Sequence, residues 1–185
     1  MDSDNFRPSR RQFLGVFTGI ATVAAAPVYS KTFGFLRQAG DIRRIRMYSQ
    51  RTGESIDTIY YANGKYIPEV MAEISYFMRD WRQNAVKDYD PRNLDILAAS
   101  SKKMDTDEPY LMISGYRTPR TNRMLRGAAQ NSYHMQAMAA DVRLRGRSVN
   151  QIAGAAKSCN GGGVGTYARS NFVHMDCGPI RTWRG

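Results

Sequence analysis

The chain has 185 residues, enough for one domain with a core that needs no disulfide framework. At 42% hydrophobic and 23% charged residues, its composition is that of an ordinary globular protein and singles out no unusual class. The charge balance is less ordinary. With 27 basic against 16 acidic residues the net charge is +11, which favours a polyanionic partner: nucleic acid, anionic lipid or an acidic cell-wall polymer.

The first thirty residues bear on that choice. Arg10 and Arg11 stand next to each other before Phe13 and Leu14, and a weakly apolar run from Gly15 to Ala26 leads to Pro27 and the small-residue site Val28-Tyr29-Ser30. This order resembles a twin-arginine export signal, cleaved after residue 30. The run is short of the ~20 apolar residues a membrane span needs, so contact with a membrane is peripheral at most, with an uncleaved N-terminal anchor or an ordinary amphipathic helix as the bland alternative. Loss of residues 1–30 removes Arg7, Arg10, Arg11, Asp2 and Asp4 and leaves a net charge of +10. Export leads to the periplasm, where disulfides persist. Cys159 and Cys177 are then either two unpaired, half-buried thiols or one bridge, and unpaired thiols are the expectation.

Residues 31–43 are basic and patternless, as in a linker, and precede a domain spanning 44–185. Arg44–Ser49 and Ser55–Tyr61 alternate polar with apolar and predict two strands of a hairpin. Pro68 suits the first position of a helix. Val70, Met71, Ile74, Phe77, Met78 and Trp81 extend its apolar stripe to about Ala85. Asp90-Pro91 starts a second helix with Leu94, Ile96, Leu97 and Met104 as its apolar positions. Pro109–Ser114 reads as a buried strand, and Pro119 opens a helix to about Ala129. After a loop carrying His134, Ala139–Leu144 alternates as a strand, Ser148 caps a helix from Val149 to Cys159, and Val164–Tyr167 and Phe172–Asp176 are two last strands. The pattern predicts an α+β fold, a mainly antiparallel sheet with helices packed on it.

The chain has two histidines, His134 and His174. Catalytic zinc takes three histidine or carboxylate ligands and keeps a fourth position open, and His134, Asp141 and His174 make such a set. Strand alternation places Phe172, His174 and Asp176 on one face and Val173 and Met175 on the other. From these residues alone, two hydrogen-bonded histidines and a metal clip both remain open.

The motifs are more specific. Ser132-x-His134-x6-Asp141 followed by Asn171-Phe-Val-His174 resembles the zinc peptidases of the D-alanyl-D-alanine carboxypeptidase clan, which has the hedgehog-like fold. The likeness extends along its exported murein endopeptidase branch: Arg51-Thr52-Gly53-Glu54-Ser55, Phe77-x-Arg79-Asp80-x-Arg82, Ile113–Arg117, Gly162-Gly163-Val164-Gly165 and Arg169–Asp176. The resemblance implies zinc held by His134, Asp141 and His174, and peptidoglycan peptides as substrate. It implies Arg117 as the arginine that holds substrate or the developing oxyanion, with a surface salt bridge as the bland alternative. Ser132 and Tyr133 fall in the substrate-binding motif, where Ser132 either bonds substrate or orients its loop.

Two departures stand out. Ala137 occupies a position that is glycine in the family, which carries a strain cost if φ is positive there. The glutamate or histidine that many members place before the last ligand is Asn171 or Phe172 here. Asp176 then remains as general base, or as a carboxylate that only orients His174. The resulting expectation is a zinc endopeptidase of murein. A zinc-containing wall-binding protein without activity is the alternative, and a nucleic-acid binder is disfavoured by the leader and by the lack of a clustered basic helix.

Overall fold

The computed structural model describes residues 39–185. The expected leader, 1–30, and residues 31–38 of the expected linker lie outside them.

Strand β1 (Arg43–Ser49) turns Ile45 and Met47 inward and pairs antiparallel with β2 (Ser55–Ala62). It begins at Arg43, so the expected linker is already strand at its last residue. Asn63 and Gly64, both left-handed, turn β2 into the two-residue strand β3 (Lys65–Tyr66), which the alternation did not reveal.

Helix α1 (Pro68–Phe77) opens on its proline as expected but stops eight residues short of Ala85. Ile74, Phe77 and Met78 are buried, whereas Trp81 is exposed. The cause is tertiary. The Met78 carbonyl accepts from the Tyr116 N–H at 2.8 Å, and the Arg79 guanidinium turns back to the Tyr76 carbonyl and across to Glu54. Asp80 bridges to Ala85 around a tight loop while its carboxylate accepts from Thr118. These bonds take up the groups that another helical turn would use.

In α2 (Pro91–Lys103) the Asp90 carboxylate caps the Arg92 N–H, and eight consecutive residues from Asn93 to Ser100 are buried. This central helix packs against β1, β7 and α4. Strand β4 (Tyr110–Ser114) runs parallel to β1. Helix α3 (Pro119–Met124), capped by Thr118, does not reach Ala129: Leu125 is extended, and the Asn122 side chain donates to the Ala129 carbonyl, folding the intervening residues into a loop. A 3-10 turn (Tyr133–Gln136), β5 (Ala139–Leu144), α4 (Val149–Ser158, with a Ser148–Gln151 capping box), β6 (Gly163–Tyr167), β7 (Phe172–Asp176) and β8 (Arg181–Arg184) complete the domain. β8 was not foreseen.

The eight strands form one sheet in the order β3-β2-β1-β4-β5-β7-β6-β8, with only β1/β4 and β6/β8 parallel. The α+β, mainly antiparallel expectation holds. Val173 and Met175 point into the core beneath α2, where Ser100 and Asn93 contact the Met175 side chain and carbonyl. His174 and Asp176 point the other way. No helix among the described residues is long and apolar enough to cross a membrane.

Candidate metal centre

Strand register builds the site. Ser114 pairs with Asp141, Asp141 with His174, His174 with Gly165, and Gly165 with Trp183. Directly paired residues share a face of the sheet, so this row crosses four strand boundaries on the side away from the core. The neighbouring row pairs Ala139 with Asp176, Asp176 with Gly163, and Gly163 with Arg181. Glycines are needed in both rows. A Cβ on Gly163 would collide with the Arg181 guanidinium and the Asp176 carboxylate, and one on Gly165 with the Trp183 indole. The bare strand β6 thus lets side chains from β8 lie across it and reach β7.

His134 enters from the 3-10 turn before β5. The Ser132 hydroxyl accepts from the His134 backbone N–H at 3.3 Å, which fixes the start of the turn. Ala137 ends it at φ +55°, the left-handed conformation that glycine would adopt without strain. Its N–H bonds the His134 carbonyl, and its own carbonyl accepts from Asp90.

Three atoms converge: His134 Nε2 lies 3.1 Å from Asp141 Oδ1 and 3.1 Å from His174 Nδ1, which lies 2.9 Å from the same oxygen. The outer nitrogen of each imidazole is committed. His134 Nδ1 donates to the Gly115 carbonyl at 2.7 Å, and His174 Nε2 donates to Asp176 Oδ2 at 2.9 Å. Each acceptor requires the proton on that nitrogen, so both inner nitrogens of the neutral rings present lone pairs to a carboxylate oxygen. One proton can relieve only part of this cluster of acceptors; a cation faces all of it. Ligands about 2.1 Å from a tetrahedral ion stand roughly 3.4 Å apart, a few tenths more than these separations. The donor set fits a divalent metal.

Burial pushes the His134 imidazole below its ordinary pKa. Burial opposes ionisation of Asp141, but His134 and His174 hold its carboxyl well below the usual carboxylate range. Burial also works against protonated His174, yet its bonds to Asp141 and Asp176 raise it. Arg117 donates from Nη2 to Asp141 Oδ2 and from Nε to the Ser114 hydroxyl, so it stands at the cleft floor rather than in a surface salt bridge.

Asp176 is placed differently from a general base. It is fully buried behind His174, and its oxygens accept from His174, from Arg181 at 2.7 and 3.0 Å, and from the Gly178 and Gly163 N–H groups at 2.9 and 3.3 Å. Despite burial, these donors hold its pKa at about 2. No oxygen faces the cleft, and the geometry suits orientation of His174. Arg181 in turn lies over the Tyr133 ring, 4.9 Å from its centroid, and 5.0 Å from that of Trp183. Trp183 sits 5.3 Å from the His174 ring and donates to the Tyr167 hydroxyl at 2.9 Å. Sequence reasoning missed Arg181, Trp183 and Tyr167. The period-two Arg181-x-Trp183 after Gly178-Pro179 was the available sign of a strand with one face on the site.

The triad forms the floor of a cleft of about 650 Å³, with Tyr133, Tyr167, Phe172 and Trp183 among its walls. Cys159 and Cys177 are buried and unpaired, and burial pushes the Cys177 thiol up to about 12.

An eight-stranded, mainly antiparallel sheet that carries two imidazoles and a carboxylate at the floor of an open cleft fits the zinc peptidases of the D-alanyl-D-alanine carboxypeptidase clan that the motifs resemble. Residues 37–183 match the family model described as peptidoglycan L,D-endopeptidase MepK. Over 184 residues the chain is 38% identical to the peptidoglycan L,D-endopeptidase MepK of Escherichia coli strain K12, covering 97% of this chain and all of that protein. The same identity relates it to the protein so named in Shigella flexneri. It is 35% identical over 139 residues to the probable peptidoglycan L,D-endopeptidase MepK of Haemophilus influenzae, covering 72% of this chain and 75% of that protein. The chain belongs to this family of peptidoglycan-hydrolysing peptidases.

Proposed function

We propose that the protein is a zinc-dependent endopeptidase that hydrolyses L,D peptide bonds in peptidoglycan cross-links. The observation that carries the zinc requirement is the convergence of His134 Nε2, Asp141 Oδ1 and His174 Nδ1 to within 3.1 Å of one another. The relatives' names support the substrate.

Zinc bound by these three atoms would polarise the scissile carbonyl and lower the pKa of its bound water toward 7. The chain's own groups prepare that chemistry. The Gly115 carbonyl fixes the tautomer of His134, and Asp176, itself clamped by Arg181, fixes that of His174. Asp176 and Arg181 are positioning residues in this reading. Arg117 keeps a permanent positive charge at the cleft floor, where negative charge grows on the carbonyl oxygen. Ser132 holds the turn that carries His134. Tyr133 lies along the cleft beside Arg181, where it would contact the substrate peptide.

Peptidoglycan lies outside the cytosol, and the twin-arginine-like leader over residues 1–30 supports export to the periplasm, followed by a linker to residue 43 and the peptidase domain over 44–185. The net charge of +10 left after cleavage would favour the anionic wall in a salt-sensitive way.

Mass spectrometry of muropeptides after digestion tests the reading. The purified protein with zinc is expected to release products cut at L,D bonds. A chelator or His134→Ala should stop release, and intact cross-links after digestion by the zinc-loaded wild type would overturn it.

A further inference from the structure

Two of the quoted motifs, Arg51–Ser55 and Phe77–Arg82, have no part in the metal floor, yet the structure fastens them to each other. Arg79, nearly buried, forms a two-pronged pair with Glu54 at 2.9 and 2.9 Å. The Glu54 carboxylate also accepts from the Thr52 hydroxyl at 2.8 Å. Asp80 is buried and accepts from the Thr118 N–H and hydroxyl at 2.9 and 2.8 Å and from the Arg82 N–H at 3.1 Å. The two acids of this region are therefore engaged by partners other than the Arg51 and Arg82 side chains.

The fastening has a result at the cleft. Arg51 comes from the first hairpin and Arg82 from the loop after α1, and both are exposed and line the same cleft as His134 and His174. Their guanidinium carbons lie 6.0 and 4.4 Å from the ring centroid of Trp81. A single indole thus gathers two like charges, each attracted to the ring and each repelling the other. Neither guanidinium has a carboxylate within ion-pair distance among the described residues. Arg126 lines the cleft without such a partner as well. The Asp141 carboxylate at the floor is taken by Arg117 and the two histidines.

We infer that Arg51 and Arg82 form a subsite for a substrate carboxylate at the rim of the cleft, apart from the metal floor. The inference rests on the peptidase reading and adds a selection rule: the protein prefers peptides that carry a free carboxylate away from the scissile bond. A guanidinium pair suits this ligand because each fork offers two parallel N–H donors to a carboxylate and keeps its charge at any physiological pH. The Trp81 face limits the freedom of both side chains, which reduces what is lost on binding. Rim contacts of this kind hold ground state and transition state alike, so they act on KM rather than on kcat.

Two synthetic cross-linked peptides, identical except that one carboxylate remote from the scissile bond is free or amidated, test it. The zinc-loaded wild type is expected to show a KM roughly tenfold lower for the free acid. R51A/R82A should raise the KM for the free acid to that of the amide, and R51K/R82K, which keeps charge without the fork, should fall between. Both positions are exposed, so the melting temperatures should match that of the wild type. Equal KM values for the two peptides in the wild type, or a preference that survives in R51A/R82A, would overturn the subsite. Calorimetric binding of the same peptides to the wild type separates the two readings: if neither is cut, the peptidase reading fails, while tighter binding of the free acid supports the subsite and equal binding overturns it.

Discussion

Replacing Asp176 with asparagine separates its two candidate roles by magnitude. The carboxylate faces donors only: His174 Nε2–H, two guanidinium nitrogens of Arg181, and the N–H groups of Gly163 and Gly178. Asparagine offers them one oxygen and turns an NH2 toward the rest, so at least one donor meets another donor in a fully buried site. His174 keeps at best a neutral acceptor for which Arg181 competes, and outer partners of this type are worth roughly 10- to 100-fold in metal affinity, or about 1.4–2.7 kcal/mol. Competition against a chromophoric chelator measures the zinc Kd, and hydrolysis at saturating zinc measures turnover. Asp176→Asn is expected to weaken zinc at the upper end of that range while turnover at saturating zinc stays within several-fold of wild type. General-base catalysis contributes roughly 10²–10⁴-fold. A turnover loss of that size with an unchanged zinc Kd would therefore refute the orienting role.

Gly163→Ala should destabilise the fold by about 1–3 kcal/mol in chemical denaturation, because its methyl group occupies the space of the Arg181–Asp176 pair, and zinc affinity should fall with it; a melt like wild type would contradict the glycine requirement. Ala137→Gly should change stability by less than about 1 kcal/mol, since relief of the left-handed strain is offset by lost methyl burial and greater unfolded-state freedom. Ala137→Val, β-branched in the same conformation, should cost about 2 kcal/mol or more, read in the same urea titrations. In the zinc-free protein the Asp176 carboxyl is depressed to about 2 from an unfolded value near ~3.9. Its stabilisation is complete above the unfolded value and disappears as pH falls from about 4 to about 2, a loss of about 2 kcal/mol. Urea unfolding at pH 5, 3 and 2 should show the wild type losing about 2 kcal/mol more than Asp176→Asn, since both keep the other depressed carboxylates, Glu54, Asp57, Asp80 and Asp141.

Local pattern carried much of the fold and half of the site. Alternation in Phe172–Asp176 put His174 and Asp176 on one face, and the structure has them there, one on the cleft and one behind it. The prolines at 68, 91 and 119 each open a helix. Helix ends were not legible, because α1 stops where Arg79 and Asp80 bond Glu54 and Thr118, residues distant in sequence. The positive φ of Ala137 was legible only as a conditional cost. Arg181 and Trp183 escaped notice because their role depends on the parallel register of β8 against a glycine-bared β6, a relation no local period encodes. The same non-local pairing puts the Asp176 carboxylate behind His174 and within reach of Arg181.

The three converging acceptor atoms also have a mechanical consequence. They come from a short turn, a central strand and a second strand beside it, so an ion there would tie the chain across positions 134, 141 and 174 as a covalent staple does, in a protein whose two cysteines stay apart. Occupancy would then stabilise the folded form in proportion to the logarithm of metal supply, and protease digestion with and without chelator would report it as a difference in lifetime. A cell short of the ion would then hold fewer surviving copies of the protein.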